Sequence, residues 1–403
     1  MAADSGIAPP ALQGLRVLEL GTLIAGPFCT RILAEFGAEV IKIEAPGEGD
    51  PLRTWRRLYK GTSLWWLVQS RNKKSVSVNL RHAQGQEIVR RIARGCDIVV
   101  ENFRPGALEK WDLAYERLSA DNPGLIMVRL SGYGQTGPYR DRPGFGAIAE
   151  AMGGIRFVTG YADRPPVRAG ISLGDAVAAL YGVVGALMAL HTRPSNGGHG
   201  QVVDVALYEA VFSLMESLLP EYDMFQFVRT RTGASLPGIV PSNTYLTRDG
   251  KYIVIGANAD SIFKRMMVAI GRDDLAQDPT LARNEGRVAR TEELDQVIGD
   301  WCAQHELAEV LRVLAQAEVP SGKIYDIADI VRDVHYRARN MLERHTLPDG
   351  AQIKLPGIVP KLSATPGTTR WLGPALGAHT EEVLTGLGYT AGDIERLRAE
   401  GVV

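Results

Sequence analysis

The succession between Leu15 and Glu44 restricts the fold more than any other stretch of the chain. Leu15-Arg-Val-Leu-Glu-Leu20 reads as a short strand and Gly21-Thr-Leu-Ile-Ala-Gly-Pro27 as a turn. Phe28 to Phe36 runs at helical period, and Glu39-Val-Ile-Lys-Ile-Glu44 is a second strand. Strand, helix, strand in that order is a βαβ unit, and its two strands lie parallel because the helix carries the chain back across the sheet. The alternation continues with a strand at Ser75-Val-Ser-Val-Asn-Leu80, a helix from Gln84 to Ala93, and strands at Asp97-Ile-Val-Val-Glu101 and Leu125-Ile-Met-Val-Arg-Leu130. The expectation is an α/β fold with a large, doubly wound, Rossmann-like domain whose ligands sit at the carboxyl ends of the strands.

Further along, Ala176 to Leu190 and Leu207 to Phe227 read as two helices, separated by the turn-rich Pro194-Ser-Asn-Gly-Gly-His-Gly200 and a short strand at Gln201 to Val205. Arg229 to Pro241 reads as a flexible link. The strand Lys251-Tyr-Ile-Val-Ile-Gly256 and helices near Ser261 to Ile270, Thr291 to Gln304 and Glu306 to Gln316 then outline a smaller α+β domain. The expected division is 1–224 for the first part of the large domain, 225–330 for the small domain, and 331–403 for a linker and C-terminal return to the large domain. Leu347-Pro-Asp-Gly350 followed by Ile353-Lys-Leu signals a hairpin. Four prolines, Pro356, Pro360, Pro366 and Pro374, make 357–372 a poor candidate for regular structure, so that segment gains stability only by lying on another surface, such as a second subunit's.

With 403 residues, 45% of them hydrophobic and 23% charged, the chain can bury a large core unaided. Its formal net charge of −1 gives no overall electrostatic drive toward nucleic acid or an anionic membrane, so neither is an expected partner. Cys29, Cys96 and Cys302 form no close pair and have no His at metal-ligand spacing; neither a disulfide framework nor a metal site is expected. The N-terminal segment has neither the basic and apolar regions of a signal peptide nor the arginines of a transit peptide, and the expectation is a cytoplasmic protein. Ala176 to Leu190, rich in Gly and Ala, reads as a tightly packed core helix and not a membrane span.

Asp175 is the leading candidate for chemistry. It stands between Ala169-Gly-Ile-Ser-Leu-Gly174 and the apolar helix that follows, where unpaired N–H groups and the positive end of the helix dipole favour an ionised carboxylate. Such an anion can act as a nucleophile, but Asp is also a preferred N-cap, and this segment alone leaves both roles open. The turn at Gly21 to Pro27 can bring backbone N–H groups close to a ligand, although it is not a GxGxxG and no phosphate-loop motif occurs. Arg71-Asn-Lys-Lys-Ser75 with Arg81, and Asn102-Phe-Arg-Pro-Gly106 with Lys110, offer cations for phosphates and an aromatic face for a purine, or else a solvated basic face. In Ser131-Gly-Tyr-Gly-Gln-Thr-Gly-Pro138, Tyr133 and Gln135 either face the cleft or belong to a plain glycine turn. Of the arginines preceding Asp175, Arg142 and Arg168 are candidates for binding a substrate carboxylate.

Taken together, Leu12-Gln-Gly-Leu-Arg-Val-Leu-Glu, Ala25-Gly-Pro, Gly37-Ala-Glu-Val-Ile-Lys-Ile-Glu44, Asn72-Lys-Lys-Ser75, Glu101-Asn-Phe-Arg-Pro-Gly106, Gly170 to Asp175, Leu372-Gly-Pro and Gly377-Ala-His-Thr-Glu381 closely resemble the class III CoA-transferases, the family of formyl-CoA transferase and the carnitine CoA-transferase. Asp141-Arg-Pro-Gly-Phe-Gly and Pro165-Pro-Val-Arg-Ala-Gly170 look like members that exchange CoA between succinyl-CoA and dicarboxylates such as malate, citramalate or itaconate. The resemblance implies that Asp175 attacks the acyl-CoA carbonyl, and that turnover passes through a mixed anhydride and an aspartyl-CoA thioester. It implies no permanently bound cofactor, with the CoA thioester as substrate. It places Ile24, Ala25, Arg71, Lys73, Arg81, Asn102, Phe103, Arg104, Lys110 and Tyr133 in the CoA-holding segments, and makes Leu23 to Ala25 the expected oxyanion-binding loop. Gln135, Arg142, Arg168, Gly233 and Gly238 are implied on the substrate side, with Gly233 to Gly238 in the place of the family's mobile glycine-rich loop. Here that loop carries Ser-Leu-Pro and should be stiffer. Ile24 departs from formyl-CoA transferase, which has glutamine there. The resemblance further implies a homodimer of two interlocked ring-like chains.

Two other readings share these features. An acyl-CoA racemase on the same fold needs an acid/base pair near the thioester α-carbon, usually including a His, and no His lies between His82 and His191. A non-catalytic CoA-binding protein would keep the cations without requiring Asp175. The sequence does not separate malate, citramalate, itaconate, mesaconate and glutarate as acceptors.

Overall fold

The computed structural model describes residues 8–403. The chain divides into two units, one comprising the residues up to Ile155, Ala169–Gln226 and Met341–Val403, the other Arg156–Arg168 and Phe227–Asn340. The second unit therefore takes in a short excursion ahead of Asp175 as well as the stretch expected to form the small domain.

The first unit is built on six parallel strands, β1 (Arg16–Glu19), β2 (Glu39–Glu44), β3 (Lys73–Ser77), β4 (Ile98–Glu101), β5 (Ile126–Ser131) and β6 (Val202–Ala206), in the order β3-β2-β1-β4-β5-β6. The order reverses between β1 and β4, which is where doubly wound sheets open a crevice for ligands. One face of the sheet carries α1 (Ala25–Glu35), α2 (Gly146–Met152), α3 (Leu173–Thr192) and α4 (Leu207–Phe212). Val17, Val40, Ile98, Val128, Cys29, Leu33, Ala178 and Ala186 share its core. On the other face Leu18, Ile41, Val99 and Met127 pack with Ile88 and Ile92 of the helix Ala83–Ala93 and with Leu384, Ile394 and Leu397 near the C-terminus.

Strand β3 begins at Lys73, ahead of the expected Ser75; this lysine is buried with its ammonium on Glu19, so a charged residue holds a strand position that no apolar pattern marks. As an edge strand it would expose unpaired backbone groups. The C-terminal return covers them: Asn72 N–H donates to Trp371 O (3.0 Å), Trp371 Nε1 to Lys73 O (3.0 Å), Ser77 N–H to Thr380 Oγ1 (2.9 Å) and His379 N–H to Ser75 O (2.9 Å). The proline-broken segment thus lies on its own unit. The expected hairpin forms as Leu342–Thr346 paired with Gln352–Pro356.

Two expectations are corrected. The helix read as Leu207 to Phe227 is two, α4 and Leu218–Phe225, because Pro220 cannot continue a helix from upstream and is accepted only in a first turn. The helix α3, expected to be enclosed, is covered on one face only. Gly182 lies close enough to the sheet that a Cβ there would stand 3.3 Å from Cys29 Sγ and Val128 Cγ1, whereas Leu180, Tyr181, Val184 and Met188 are exposed, Met188 by 63%. Among the described residues α3 alone is long and apolar enough to cross a membrane.

The second unit has an antiparallel sheet of Ser242–Leu246, Tyr252–Gly256 and Ser321–Lys323. Helices Asp260–Ala269, Thr291–Gln304 and Leu307–Gln316 enclose a core that includes Ile253, Ile255, Phe263, Met266, Ile298 and Leu314.

At the end of β4 the buried Glu101 carboxylate accepts from Arg129 Nε (2.8 Å) and Phe103 N–H (2.7 Å), and Arg129 Nη1 reaches Glu109 (2.9 Å). Burial pushes the Glu101 carboxyl up to about 7 despite the guanidinium beside it. The folded chain thus retains a proton that the unfolded chain releases near 4.5, so stability from this group is present below that value and lost as pH rises through about 7. Glu101→Gln removes this dependence: between about pH 5 and about pH 8 the urea midpoint of the wild-type chain should fall relative to that of the variant. Parallel profiles would contradict the assignment.

Candidate active site

The topology of the first unit brings the candidate nucleophile and the glycine turn to one edge. Helix α1 follows β1 and helix α3 precedes β6, so both run opposite to the strands on the same face and both start at the carboxyl edge of the sheet. Gly182 of α3 packs against Cys29 of α1. At 1.5 Å rise per residue, Asp175 stands about one helical turn beyond the level of Ala25.

Asp175 is the third residue of α3, and the N-cap position belongs to Ser172. The carboxylate lies within the first turn, beyond the N-cap, in the field of the helix start. It is half-buried and presses on Gly146, the first residue of α2, so closely that a Cβ at that position would come 2.1 Å from Asp175 Oδ2. Only glycine leaves room for the carboxylate there. Beneath it, Gly174 N–H donates to Oε1 of the buried Glu150 (3.3 Å). The adjoining loop is equally close-packed. Gly132 and Gly144 come within contact distance, Gly134 N–H donates to Ser131 Oγ (3.0 Å), and the Tyr133 ring lies beside those of Tyr139 and Tyr208.

The turn after β1 is held peptide by peptide. Lys42 Nζ donates to Gly21 O (2.8 Å); Asn102 accepts from Thr22 N–H (2.8 Å) and donates to Thr22 O (2.9 Å); the Asp50 carboxylate accepts from Leu23 N–H (3.1 Å); Gln69 Nε2 donates to Ile24 O (3.0 Å). Below the turn lies a buried ionic lattice. Lys42 Nζ bonds Glu19 (2.8 Å) and Asp50 (2.8 Å), Lys73 Nζ bonds Glu19 (2.8 Å) and Pro27 O (2.7 Å), and Thr30 Oγ1 donates to Glu19. Burial opposes ionisation of Glu19, but Lys42 and Lys73 outweigh it and hold its carboxyl below the usual range; burial lowers Lys73 to about 8 against the pull of Glu19.

This lattice corrects several expectations. Arg71 and Lys73 are each 1% exposed, and their cations are engaged within the chain, Arg71 with Glu35 (2.7 Å) and Pro356 O (2.9 Å). They build the edge of the sheet and present no charge to a phosphate. Asn102 ties the loop after β4 to the turn after β1. Leu23 N–H, expected to help bind an oxyanion, is taken by Asp50, while Ala25 and Gly26 at the start of α1 retain N–H groups that no intrahelical acceptor can reach.

The remaining candidates fall at the rim or in the second unit. Phe103 is half-buried edge-to-face with Trp111 (5.1 Å), and Arg81, Arg104 and Lys110 are exposed. Gln135 N–H donates to Asp204 (2.9 Å), and Arg142 is exposed with its guanidinium 3.6 Å from the Tyr139 ring centroid. Arg168, Gly233 and Gly238 belong to the second unit. There Gly233, at φ 69°, donates to Gly160 O (2.8 Å) against the Tyr161 ring, and the 232–240 segment walls a cavity of about 180 Å³ with Thr291 and Asp295. Among the described residues no group of three or more His, Cys, Asp or Glu converges as a metal site. Sequence reasoning missed Glu19, Lys42, Asp50, Gln69, Gly146 and Glu150. Charges of opposite sign breaking two apolar strand runs, Glu19 and Lys42, were the available signal; the strands place them in register.

Comparison with known proteins agrees with this architecture. The family model described as CoA-transferase family III matches residues 12–380. The succinyl-CoA–D-citramalate CoA-transferase of Chloroflexus aurantiacus is 51% identical over 98% of each chain, and the succinyl-CoA:mesaconate CoA-transferase of Haloarcula hispanica is 35% identical over 95% of this chain and 98% of its own. The crystal structure of a CAIB/BAIF family protein from Brucella suis superposes with a TM-score of 0.82 at 33% identity, covering 94% of this chain and all of that one. The chain belongs to CoA-transferase family III, and it is an enzyme of the transferase class.

Proposed function

We propose that the enzyme transfers CoA from succinyl-CoA to a small dicarboxylic acid, with Asp175 as the nucleophile. The supporting observation is the Asp175 carboxylate itself, inside the first turn of α3 at the carboxyl edge of the sheet and against Gly146. The names of the relatives, which act between succinyl-CoA and citramalate or mesaconate, support the donor and the class of acceptor.

In this reading an Asp175 oxygen attacks the succinyl carbonyl, the C–S bond breaks, and CoA thiolate leaves a mixed anhydride of succinate and Asp175. The thiolate then attacks the Asp175 carbonyl, releasing succinate and forming an aspartyl-CoA thioester. The incoming carboxylate attacks that thioester and expels the thiolate, leaving a second mixed anhydride, now of Asp175 and the acceptor. The thiolate attacks the acceptor's acyl carbon in it, giving the new CoA thioester and releasing the Asp175 carboxylate. Each attacking group is already an anion, so no general base is required. The oxyanions formed at each addition are stabilised by the N–H groups opening α1. Arg142, stacked on Tyr139, is the cation assigned to the far carboxylate of the acceptor.

The exposed apolar face of α3 calls for a cover, and we assign a second copy of the chain to it in a homodimer. Three buried free thiols suit a reducing cytosol.

Asp175→Ala should lower CoA exchange by at least ~10³-fold while leaving the melting temperature and CoA binding close to wild type. Gly146→Ala, which leaves the nucleophile present but displaces it, should cost about 100-fold. Near-normal turnover in Asp175→Ala would remove the proposal. For the dimer, sedimentation on dilution should show a single species of twice the chain mass; a folded monomer would contradict it.

A further inference from the structure

Leu23 is at φ 64° in a turn where the residue is neither glycine nor asparagine. A branched aliphatic side chain rarely adopts that region, and the conformation is strained. The local structure that compensates is a single carboxylate. Asp50, 2% exposed, presents both oxygens to Leu23 N–H (3.1 and 3.2 Å), accepts Leu52 N–H (2.9 Å), and is itself oriented by Lys42 Nζ (2.8 Å) and by its own N–H donating to Glu44 (2.9 Å). The peptides on either side are fixed by Asn102 and Gln69. With Leu23 turned left-handed and its N–H taken by Asp50, the chain passes through the N-cap Ile24 into α1, whose first N–H groups, of Ala25 and Gly26, open the helix at the carboxyl edge from which α3 also starts.

We propose that Asp50 is a positioning residue for the transfer reaction: it locks Leu23 in the left-handed region and thereby sets the direction of the Ala25 and Gly26 N–H groups that meet the acyl oxygen as Asp175 attacks. The inference rests on the reading of Asp175 as nucleophile. Asp50 touches neither substrate nor reacting atoms, and its effect passes entirely through the backbone of the turn.

The same backbone can be perturbed from both sides. Asp50→Ala removes the acceptor and Asp50→Asn keeps one; Leu23→Ile resists a positive φ and Leu23→Gly accepts it. Steady-state exchange with succinyl-CoA should show kcat reduced at least ~10-fold in Asp50→Ala and Leu23→Ile, KM for succinyl-CoA within about 3-fold of wild type, and kcat within about 3-fold in Asp50→Asn and Leu23→Gly. Equal turnover in Leu23→Ile and Leu23→Gly, or a loss confined to KM, would overturn the proposal. Should Asp50→Ala fail to fold, the Leu23 pair decides, since it leaves the ionic lattice untouched. Asp175→Ala run in parallel separates the two claims: retained exchange there defeats the nucleophile, whereas its loss together with indifference at Leu23 defeats only the positioning role.

Discussion

The ion lattice of Glu19, Lys42, Lys73 and Asp50 is the interaction on which the arrangement of the site depends. It lies where β1, β2 and β3 meet the start of α1, and every member is at most 2% exposed. Charges so buried add little net stability over a well-packed apolar core, but an unmatched one costs several kcal/mol. The lattice therefore tolerates one arrangement of the β1 turn and disfavours the others. From it the constraint passes outward through Gly21 O, Asp50 and Leu23 N–H to the first N–H groups of α1.

The doubly wound topology supplies the rest. A helix that follows its strand and a helix that precedes its strand both begin at the carboxyl edge, so α1 and α3 place their positive ends together although their sequences are far apart. Small residues on α3, Ala178, Ala179, Gly182 and Ala186, allow the close approach of that helix to the sheet. Gly146 does the same for α2 against the Asp175 carboxylate. The site is thus a meeting of helix starts, a construction that favours anions before any substrate arrives.

Much of the scaffold was legible because it obeys simple periods: apolar strand runs, a helix at 3.6 spacing and glycine turns place β1, β2, β4 and β5 within a residue or two. The failures have physical causes. Pro220 was passed over inside an otherwise helical pattern, and half of α3 reads as core although it faces outward, because periodicity cannot tell an apolar surface awaiting a partner from a buried one. In the site, the place of Asp175 at a helix start was legible. Arg71 and Lys73 were not, since a basic run looks the same whether it faces phosphate or carboxylates across a sheet; only the register of Glu19 against Lys42, and the C-terminal return over β3, shows where those charges go.

The proposed reaction acylates Asp175 covalently in each catalytic cycle. The most direct measurement is peptide mass spectrometry on enzyme quenched with hydroxylamine during turnover with succinyl-CoA and an acceptor acid. The account predicts an aspartyl hydroxamate at Asp175, absent without succinyl-CoA. Robust turnover with an unmodified Asp175, or a hydroxamate only at another carboxylate, would contradict it.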